Sequence, residues 1–163
     1  MSTQTAADAR VLAGKFLTFM FGEESYGLEI LKVREIIKLM DVTAVPKTPY
    51  FVKGVVNLRG KVIAVIDLRL KFSMDEAEHT DQTCIIDVDV GGVEMGIIVD
   101  QVSEVLDIAA KQIEPPPSFG TEVDTQFILG MGKVGERDTI LLDITRVLPK
   151  EEVQGLESMS TAE

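Results

Sequence analysis

The sequence predicts an all-β protein built from two similar small barrels. Three observations support this prediction: the two halves of the chain resemble each other, short apolar runs show the alternation of half-buried strands, and turn-forming glycines separate these runs. Each half holds about five such runs, and a small antiparallel barrel lets them pair without open sheet edges. A unit of about 60 residues buries only about 60% of its unfolded surface, so the two units should share a hydrophobic core. The sequence leaves open whether strands cross from one barrel into the other.

The repeat becomes visible when the chain is compared with itself at a shift of 69 positions. YGLEI at 26–30 then matches MGIIV at 95–99. After an insertion the shift is 76, which places FVKG at 51–54 on FILG at 127–130. From this pattern we predict flexible ends and one folded domain of two pseudo-repeats joined by an acidic linker, with these bounds: flexible N-terminus 1–14, domain 15–148, pseudo-repeats about 15–72 and 84–148, linker 73–83, short helix and flexible tail 149–163.

The elements of the first half follow in a clear order. KFLTFMF at 15–21 predicts a strand, and YGLEI predicts a second one because its apolar residues occupy every other position. LKVREIIKLMD at 31–41 is ambiguous, since its apolar spacing suits a helical turn while its β-branched residues favour a strand. VPKTP at 45–49 contains two prolines and predicts a loop or a sheet edge.

Each half ends in a predicted hairpin. Residues 51–68 place two apolar runs, FVKGVVN and KVIAVIDL, on either side of the glycine-bearing turn LRG. The second half repeats this arrangement at 127–144 with the turn VGE. Asp67 and Asp143 occupy equivalent places at the ends of the two hairpins. We expect them to lie on separate barrels and to cap turns rather than to act as an acid and a base.

Charge is distributed unevenly along the 163 residues, whose net charge is −11. Residues 15–72 carry ten Lys and Arg against six Asp and Glu, whereas residues 73–148 carry four against sixteen. Nucleic acid is therefore not expected as a partner, because phosphate binding needs a basic surface. The asymmetry either orients docking on an acidic partner or only keeps the protein in solution.

The composition also bears on location. No apolar run approaches the roughly 18 residues of a membrane-spanning helix, and the N-terminus lacks the pattern of a signal peptide. Cys84 is the only cysteine, which excludes an internal disulfide and favours a reducing compartment. We therefore predict a cytoplasmic protein without direct membrane insertion.

Catalytic and metal-binding patterns are weak. The only histidine, His79, lies in the acidic linker and has no partner that would orient it beside Cys84. Asp87 and Asp89 alternate along a predicted strand, and the linker carboxylates lack the spacing of a calcium loop. Nucleotide-binding glycine motifs are absent as well. We predict no catalytic residue, no cofactor and no metal ion.

The remaining candidates are residues that suit a binding surface. Arg59 sits at the tip of the NLRG turn, where its guanidinium can bind a partner carboxylate or carbonyl, stay solvated, or pair with Glu35 inside the fold. An apolar series longer than one buried face needs follows the second strand, and it suits either the core or a recognition patch: Val33, Ile36, Leu39, Met40 and Val42.

Three segments in this order resemble the CheW-type coupling proteins of bacterial chemotaxis: YGLEILKVREI, VPKTPYFVKGVVNLRGKVIAVIDLR and GIIVDQVSEVL. The resemblance covers about 14–148. It implies two SH3-like five-stranded barrels packed on a shared hydrophobic core, with short helical turns and no enzymatic activity. It also implies an adaptor that couples the cytoplasmic tips of chemoreceptors to the regulatory domain of the histidine kinase CheA, in arrays at the inner face of the membrane.

The resemblance also suggests where partners bind. Matching positions assign a binding surface to Val33, Glu35, Ile36, Met40 and Asp41. The NLRG neighbourhood, with Gly54, Asn57 and Arg59, is implied in receptor coupling, and Val99 is implied in lining a receptor groove.

Three alternatives stay open at this stage. The nearest is a related scaffold, either an adaptor of a parallel signalling pathway or a separated regulatory domain of the kinase. A small barrel enzyme that uses carboxylates and a divalent cation is the second, and calorimetry with magnesium and calcium would reveal it. A nucleic-acid-binding barrel is the third, and the charge argues against it.

Overall fold

A computed structural model describes residues 14–72, 74–75, 77–114, 127–134 and 137–148. The predictions for 149–163 and for nearly all of 1–14 lie outside these residues. The described chain forms strands β1 to β11, in order Gly14–Phe21, Glu24–Glu29, Val33–Lys38, Val52–Leu58, Lys61–Asp67, Cys84–Val90, Val93–Val99, Gln101–Ile108, Ile113–Glu114, Ile128–Val134 and Arg137–Leu142. Short helical turns accompany them: 3-10 turns at Ile30–Lys32 and Ala110–Gln112, and α-helical turns α1 (Leu68–Lys71) and α2 (Ile144–Val147).

The ambiguous segment 31–41 contains both of its predicted conformations. A single 3-10 turn ends at Lys32, and β3 then runs from Val33 to Lys38. Burial alternates along β3, so that one face points into the protein and the other points outwards. The β-branched residues therefore lie in the strand, as their propensity favours.

The strands form two sheets, in the orders β8-β1-β2-β11-β10-β9 and β3-β6-β7-β5-β4. Each sheet combines the first hairpin of one half with the later strands of the other half. Two neighbouring pairs, β2–β11 and β5–β7, are consequently parallel. The expectation of purely antiparallel barrels was wrong in these two places, because parallel neighbours arise where an exchanged hairpin meets the other half. The open question of strand crossing is thus answered by a reciprocal exchange.

Each sheet closes on itself through a short pairing next to a glycine. In the first barrel Thr43 and Val55 exchange two backbone hydrogen bonds of 2.8 and 2.9 Å. Gly54 lies beside them with φ +146°, and a Cβ there would overlap the Thr43 carbonyl. In the second barrel β9 pairs with β10 at the equivalent place, and a Cβ on Gly130 would lie 2.8 Å from the Glu114 carbonyl oxygen. The glycines therefore allow the backbones to approach closely enough to close both barrels.

The largest core lies between the two barrels. Phe19 is at its centre, stacked against Tyr26 at 6.1 Å and meeting Phe21 edge-on at 5.6 Å. Side chains from both halves surround these rings, among them Leu28, Ile66, Leu68, Ile86, Met95, Ile97, Val99, Leu142, Ile144 and Leu148. Smaller clusters fill each barrel, around Ile63, Val65 and Ile85 in the first and around Phe16, Ile108 and Leu141 in the second. Two barrels on one shared core confirm the predicted fold class.

The two aspartates at the hairpin ends cap turns, as predicted. The Asp67 carboxylate accepts a 2.9 Å hydrogen bond from the Arg69 amide at the start of α1. Asp143 accepts one of 3.1 Å from the Thr145 amide at the start of α2. Asp67 belongs to the first barrel, and Asp143 follows a strand of the second.

Candidate docking surface

The β4–β5 turn presents Arg59 to solvent. Arg59 and Gly60 are its two central residues, and both have positive φ, at 55° and 86°. This is the backbone of a tight hairpin turn, whose twist matches that of the flanking strands. Asn57 stabilises the turn, because its side-chain oxygen accepts a 2.8 Å hydrogen bond from the Gly60 amide. The turn therefore holds Arg59 at a fixed place on the barrel.

Arg59 pairs with Glu35 on β3 through both arms of its guanidinium. The two nitrogen-to-oxygen distances are 2.6 and 2.8 Å. The pairing lowers the pKa of Glu35 below its ordinary value and raises the pKa of Arg59, mainly through these hydrogen bonds. The Arg59 side chain is nevertheless 72% exposed. Of the three alternatives that the sequence left open for Arg59, the structure selects the internal pair, and it leaves the guanidinium accessible.

The apolar series after the second strand divides between core and surface. The surface of Ile36 is 46% exposed and that of Met40 is 36% exposed, because both lie on the outward face of β3 and its continuation. Asp41 follows as an exposed residue. The other members of the series are partly buried against the clusters inside and between the barrels: Val33, Leu39 and Val42. The exposed residues Ile36, Met40 and Asp41, together with Glu35 and Arg59, are called the β3 surface below.

Two of the predicted binding residues have structural positions instead. Val99 is fully buried in the core between the barrels, so its side chain offers no surface to a partner. The expectation that it lines a groove was therefore wrong for this conformation. Gly54 serves the backbone contact with Thr43 that closes the first barrel.

A second group of charged residues lies beside the β3 surface and was not assigned from the sequence. Glu94 on β7 is ion-paired with Lys61 at 2.8 Å and with Arg34 at 3.6 Å. The neighbouring Asp87 carboxyl lowers the pKa of Glu94 most, and the contact with Lys61 and the charge of Arg34 lower it further. Asp87 on β6 is fully buried. The comparison of the two halves could have revealed this group. Asp87 and Glu94 match uncharged Thr18 and Ser25 in the first half, so the two carboxyls depart from the repeat.

The described residues hold no group of three or more His, Cys, Asp or Glu side chains arranged for a metal ion. None of their helices has the length and hydrophobicity needed to cross a bilayer.

Three further large apolar side chains are exposed, Leu31 at 91%, Tyr50 at 68% and Val105 at 48%. Val105 is the repeat equivalent of Ile36, so the same place is apolar and exposed on both barrels.

A comparison with protein families identifies the family to which most of the chain belongs. Residues 15–152 match the model of the CheW-like domain. The chain belongs to the CheW-like family. Among its CheW-like relatives, the chemotaxis protein CheW of Klebsiella aerogenes is 40% identical over 153 residues, covering 94% of this chain and 92% of the relative. The chemotaxis protein CheW of Treponema pallidum is 32% identical, covering 89% and 88%.

A CheW-like protein of known structure has the same architecture. The crystal structure of the scaffolding protein TtCheW from Thermoanaerobacter tengcongensis superposes with a TM-score of 0.78 at 37% identity, covering 86% of this chain and 91% of that one. The CheW-like assignment therefore agrees with the two barrels, and the resemblance seen in the sequence is confirmed.

Proposed function

We propose that this chain is a cytoplasmic, non-enzymatic adaptor that couples the cytoplasmic tips of chemoreceptors to the regulatory domain of a CheA-type histidine kinase. The observation that carries the proposal is the match of residues 15–152 to the CheW-like domain. The relatives named as chemotaxis proteins and the relative named as a scaffolding protein support it. In this proposal the adaptor joins receptor arrays at the inner face of the membrane through its partners.

The β3 surface has the chemistry of a protein-binding site. Ile36 and Met40 expose apolar area on the outward face of β3 and its continuation, whereas Glu35 lies on the other face of the strand, where it holds the exposed Arg59. Binding energy at protein interfaces concentrates on such apolar anchors and on arginines that bind in a forked geometry. Asp41 adds a charge at the rim. Asn57 and Gly54 act indirectly, since they shape the turn and the barrel closure that position Arg59.

The adaptor acts by geometry in this proposal. The two barrels share one core, and their outer surfaces differ because the halves differ in sequence and charge. Unlike surfaces support head-to-tail contacts, which close into rings when the rotation allows it. A rigid link between receptor and kinase lets small receptor movements favour one kinase state through differential contacts.

The test combines a pull-down with a kinase assay. A receptor cytoplasmic tip and a CheA-type kinase are mixed with the chain, and kinase activity is measured with and without it. Arg59→His should leave thermal unfolding nearly unchanged while weakening receptor-coupled stimulation of the kinase. Arg146→His is the matched control, because Arg146 is an exposed, ion-paired arginine on α2, outside the β3 surface.

The outcomes separate the alternatives. Failure of the unmodified chain to bind either partner would overturn the adaptor function. Binding that Arg59→His and Arg146→His weaken equally would overturn the assignment of the β3 surface. A large loss of stability in Arg59→His would show that the arginine serves the fold rather than the partner.

A further inference from the structure

Asp87 is a buried carboxyl group without a hydrogen-bond donor. It lies on β6, is fully buried, and exposes neither side-chain oxygen to solvent. No donor among the described residues reaches either oxygen. Buried carboxylates are normally paired or hydrogen-bonded, because an isolated buried charge is costly. Asp87 is therefore unusual, because it is buried and neither of its oxygens accepts a hydrogen bond from the described part of the chain.

The nearest polar group is a second carboxyl. Glu94 on β7 faces Asp87 within hydrogen-bonding reach and is only 10% exposed. Two ionised carboxylates cannot hydrogen-bond to each other, since both are acceptors. One proton between them converts the contact into a hydrogen bond and removes a buried charge.

The charges around the pair come from every neighbouring strand. Lys61 on β5 and Arg34 on β3 bind Glu94. Glu35, the β3 register partner of Asp87, binds Arg59, and Asp89 lies on the same strand as Asp87. Three cations, Lys61, Arg34 and Arg59, thus pair with two carboxylates, Glu94 and Glu35. Asp89 accepts a hydrogen bond from the Gly92 amide instead. The group of five carries one excess positive charge when Asp87 is protonated, and ionisation of Asp87 cancels this charge.

The other barrel shows that the fold does not require these carboxyls. Its β1–β2 hairpin pairs Thr18 with Gly27, as β6–β7 pairs Asp87 with Gly96, at the shift of 69 positions. Ser25 stands at the position of Glu94 and shares a 3.1 Å hydrogen bond with Thr139. Hydroxyl groups therefore suffice at this place in the second barrel. The carboxyl pair is a special property of the barrel that carries the β3 surface.

We propose that Asp87 and Glu94 bind one proton between them and that loss of this proton weakens partner binding at the β3 surface. The proton occupies the Asp87 oxygen and is donated to Glu94, whose charge Lys61 and Arg34 stabilise. Burial and the neighbouring Glu94 raise the pKa of Asp87 to about 7, so the proton is lost near neutral pH. The added negative charge strengthens the hold of the group on Arg59 and lowers the positive potential that Arg59 offers to a partner.

The binding step rests on the proposed function, whereas the proton site does not. The site itself is tested by NMR titration of the side-chain carboxyl carbons of the unmodified protein between pH 4 and 9. We expect the Asp87 carbon to titrate near neutrality, far above an ordinary aspartate. An Asp87 carbon that is already ionised at pH 5 would overturn the proposal, and this result needs no variant and no partner.

The effect on binding is tested with the receptor tip between pH 6 and 8. We expect the affinity of the unmodified chain to fall by roughly fivefold or more over this range. Asp87→Asn, which keeps the shape without the charge, should stay at the low-pH affinity. Asp107→Asn is the control, because Asp107 is an exposed carboxylate of the second barrel, and it should behave as the unmodified chain does.

These outcomes distinguish the two proposals. An absence of receptor binding at every pH overturns the proposed function and the regulatory step, while the NMR titration still decides the proton site. Binding with the same pH dependence in Asp87→Asn and the unmodified chain overturns the regulatory step and leaves the adaptor function standing.

Discussion

The guanidinium of Arg69 binds the carboxylate of Asp100 at two points and so connects parts of both barrels. Its Nε and Nη2 atoms lie 2.9 and 2.5 Å from the two Asp100 oxygens. Asp100 also accepts a 2.8 Å hydrogen bond from the Gly22 amide. Arg69 belongs to α1 after β5, Gly22 to the β1–β2 turn, and Asp100 to the link between β7 and β8. One carboxylate therefore ties the exchanged hairpin of the second barrel to the first barrel.

Asp100→Asn should destabilise the protein by about 1–3 kcal/mol at pH 7, because it removes charged hydrogen bonds in a partly buried place. The bonds from Arg69 hold the pKa of Asp100 below its ordinary value. A lowered folded-state pKa gives stability that is present above the unfolded pKa of about 4 and is lost as the pH falls through the folded value. The difference between the two proteins in urea unfolding should therefore shrink below about pH 4.

Asp107→Asn is the control for this comparison, since its exposed pair with Lys15 is expected to contribute less than about 1 kcal/mol. Equal effects of the two substitutions at pH 7 would show that Asp100 is not a link between the barrels.

Gly54→Ala should destabilise the protein by about 3 kcal/mol or more. The new Cβ would overlap the Thr43 carbonyl, so the backbone bonds between Thr43 and Val55 that close the first barrel must break. Gly60→Ala is the control, because its Cβ would meet nothing within 4 Å and only its positive φ opposes the change, at a cost of about 1 kcal/mol. Urea unfolding measures both variants. Similar losses for the two would mean that the close approach at Thr43 does not determine the need for glycine.

The sequence predicted the repeat and the strands because Gly54, Asp67 and their equivalents fall on matching positions. It did not predict the hairpin exchange, and the repeat itself explains why. Ala64 on β5 pairs with Met95 across a parallel contact, and Ile140 on β11 pairs with Tyr26 in the same way. The first hairpins of the two halves carry the same apolar alternation, so pairing within a half and pairing between halves look alike in the sequence.

The charged group around Glu94 was missed for a related reason. The pair of Glu35 and Arg59 was among the sequence-based alternatives, because both residues belong to the first half. Glu35 lies in the segment after the second predicted strand, and Arg59 lies in a predicted hairpin turn. Glu94 joins Lys61 and Arg34 only because β7 leaves its own half and lies beside β5. Its partners depend on a register that the strand pattern does not fix.

Adjacent isoleucines on β3 allow stability and docking to be separated. Ile37→Ala should destabilise the protein by about 2 kcal/mol, because Ile37 packs against the cluster inside the first barrel. Ile36→Ala should change stability by no more than about 0.5 kcal/mol, since Ile36 is on the exposed face. In the pull-down, Ile36→Ala should reduce partner binding when both variants are compared under conditions in which they are folded. Full binding by Ile36→Ala would remove Ile36 from the β3 surface.

Asp87→Asn should change the pH dependence of stability in the direction opposite to Asp100→Asn. The folded-state pKa of Asp87, about 7, lies above its unfolded value of about 4, so the folded protein binds the extra proton between these limits. The stability that this proton provides is fully present below the unfolded pKa and is lost as the pH rises through the folded pKa. Relative to the unmodified protein, Asp87→Asn should therefore gain about 1–3 kcal/mol between pH 5 and 8 in urea unfolding. Asp107→Asn should show a constant difference over this range, and a constant difference for Asp87→Asn as well would mean that Asp87 is already ionised in the folded protein at pH 5.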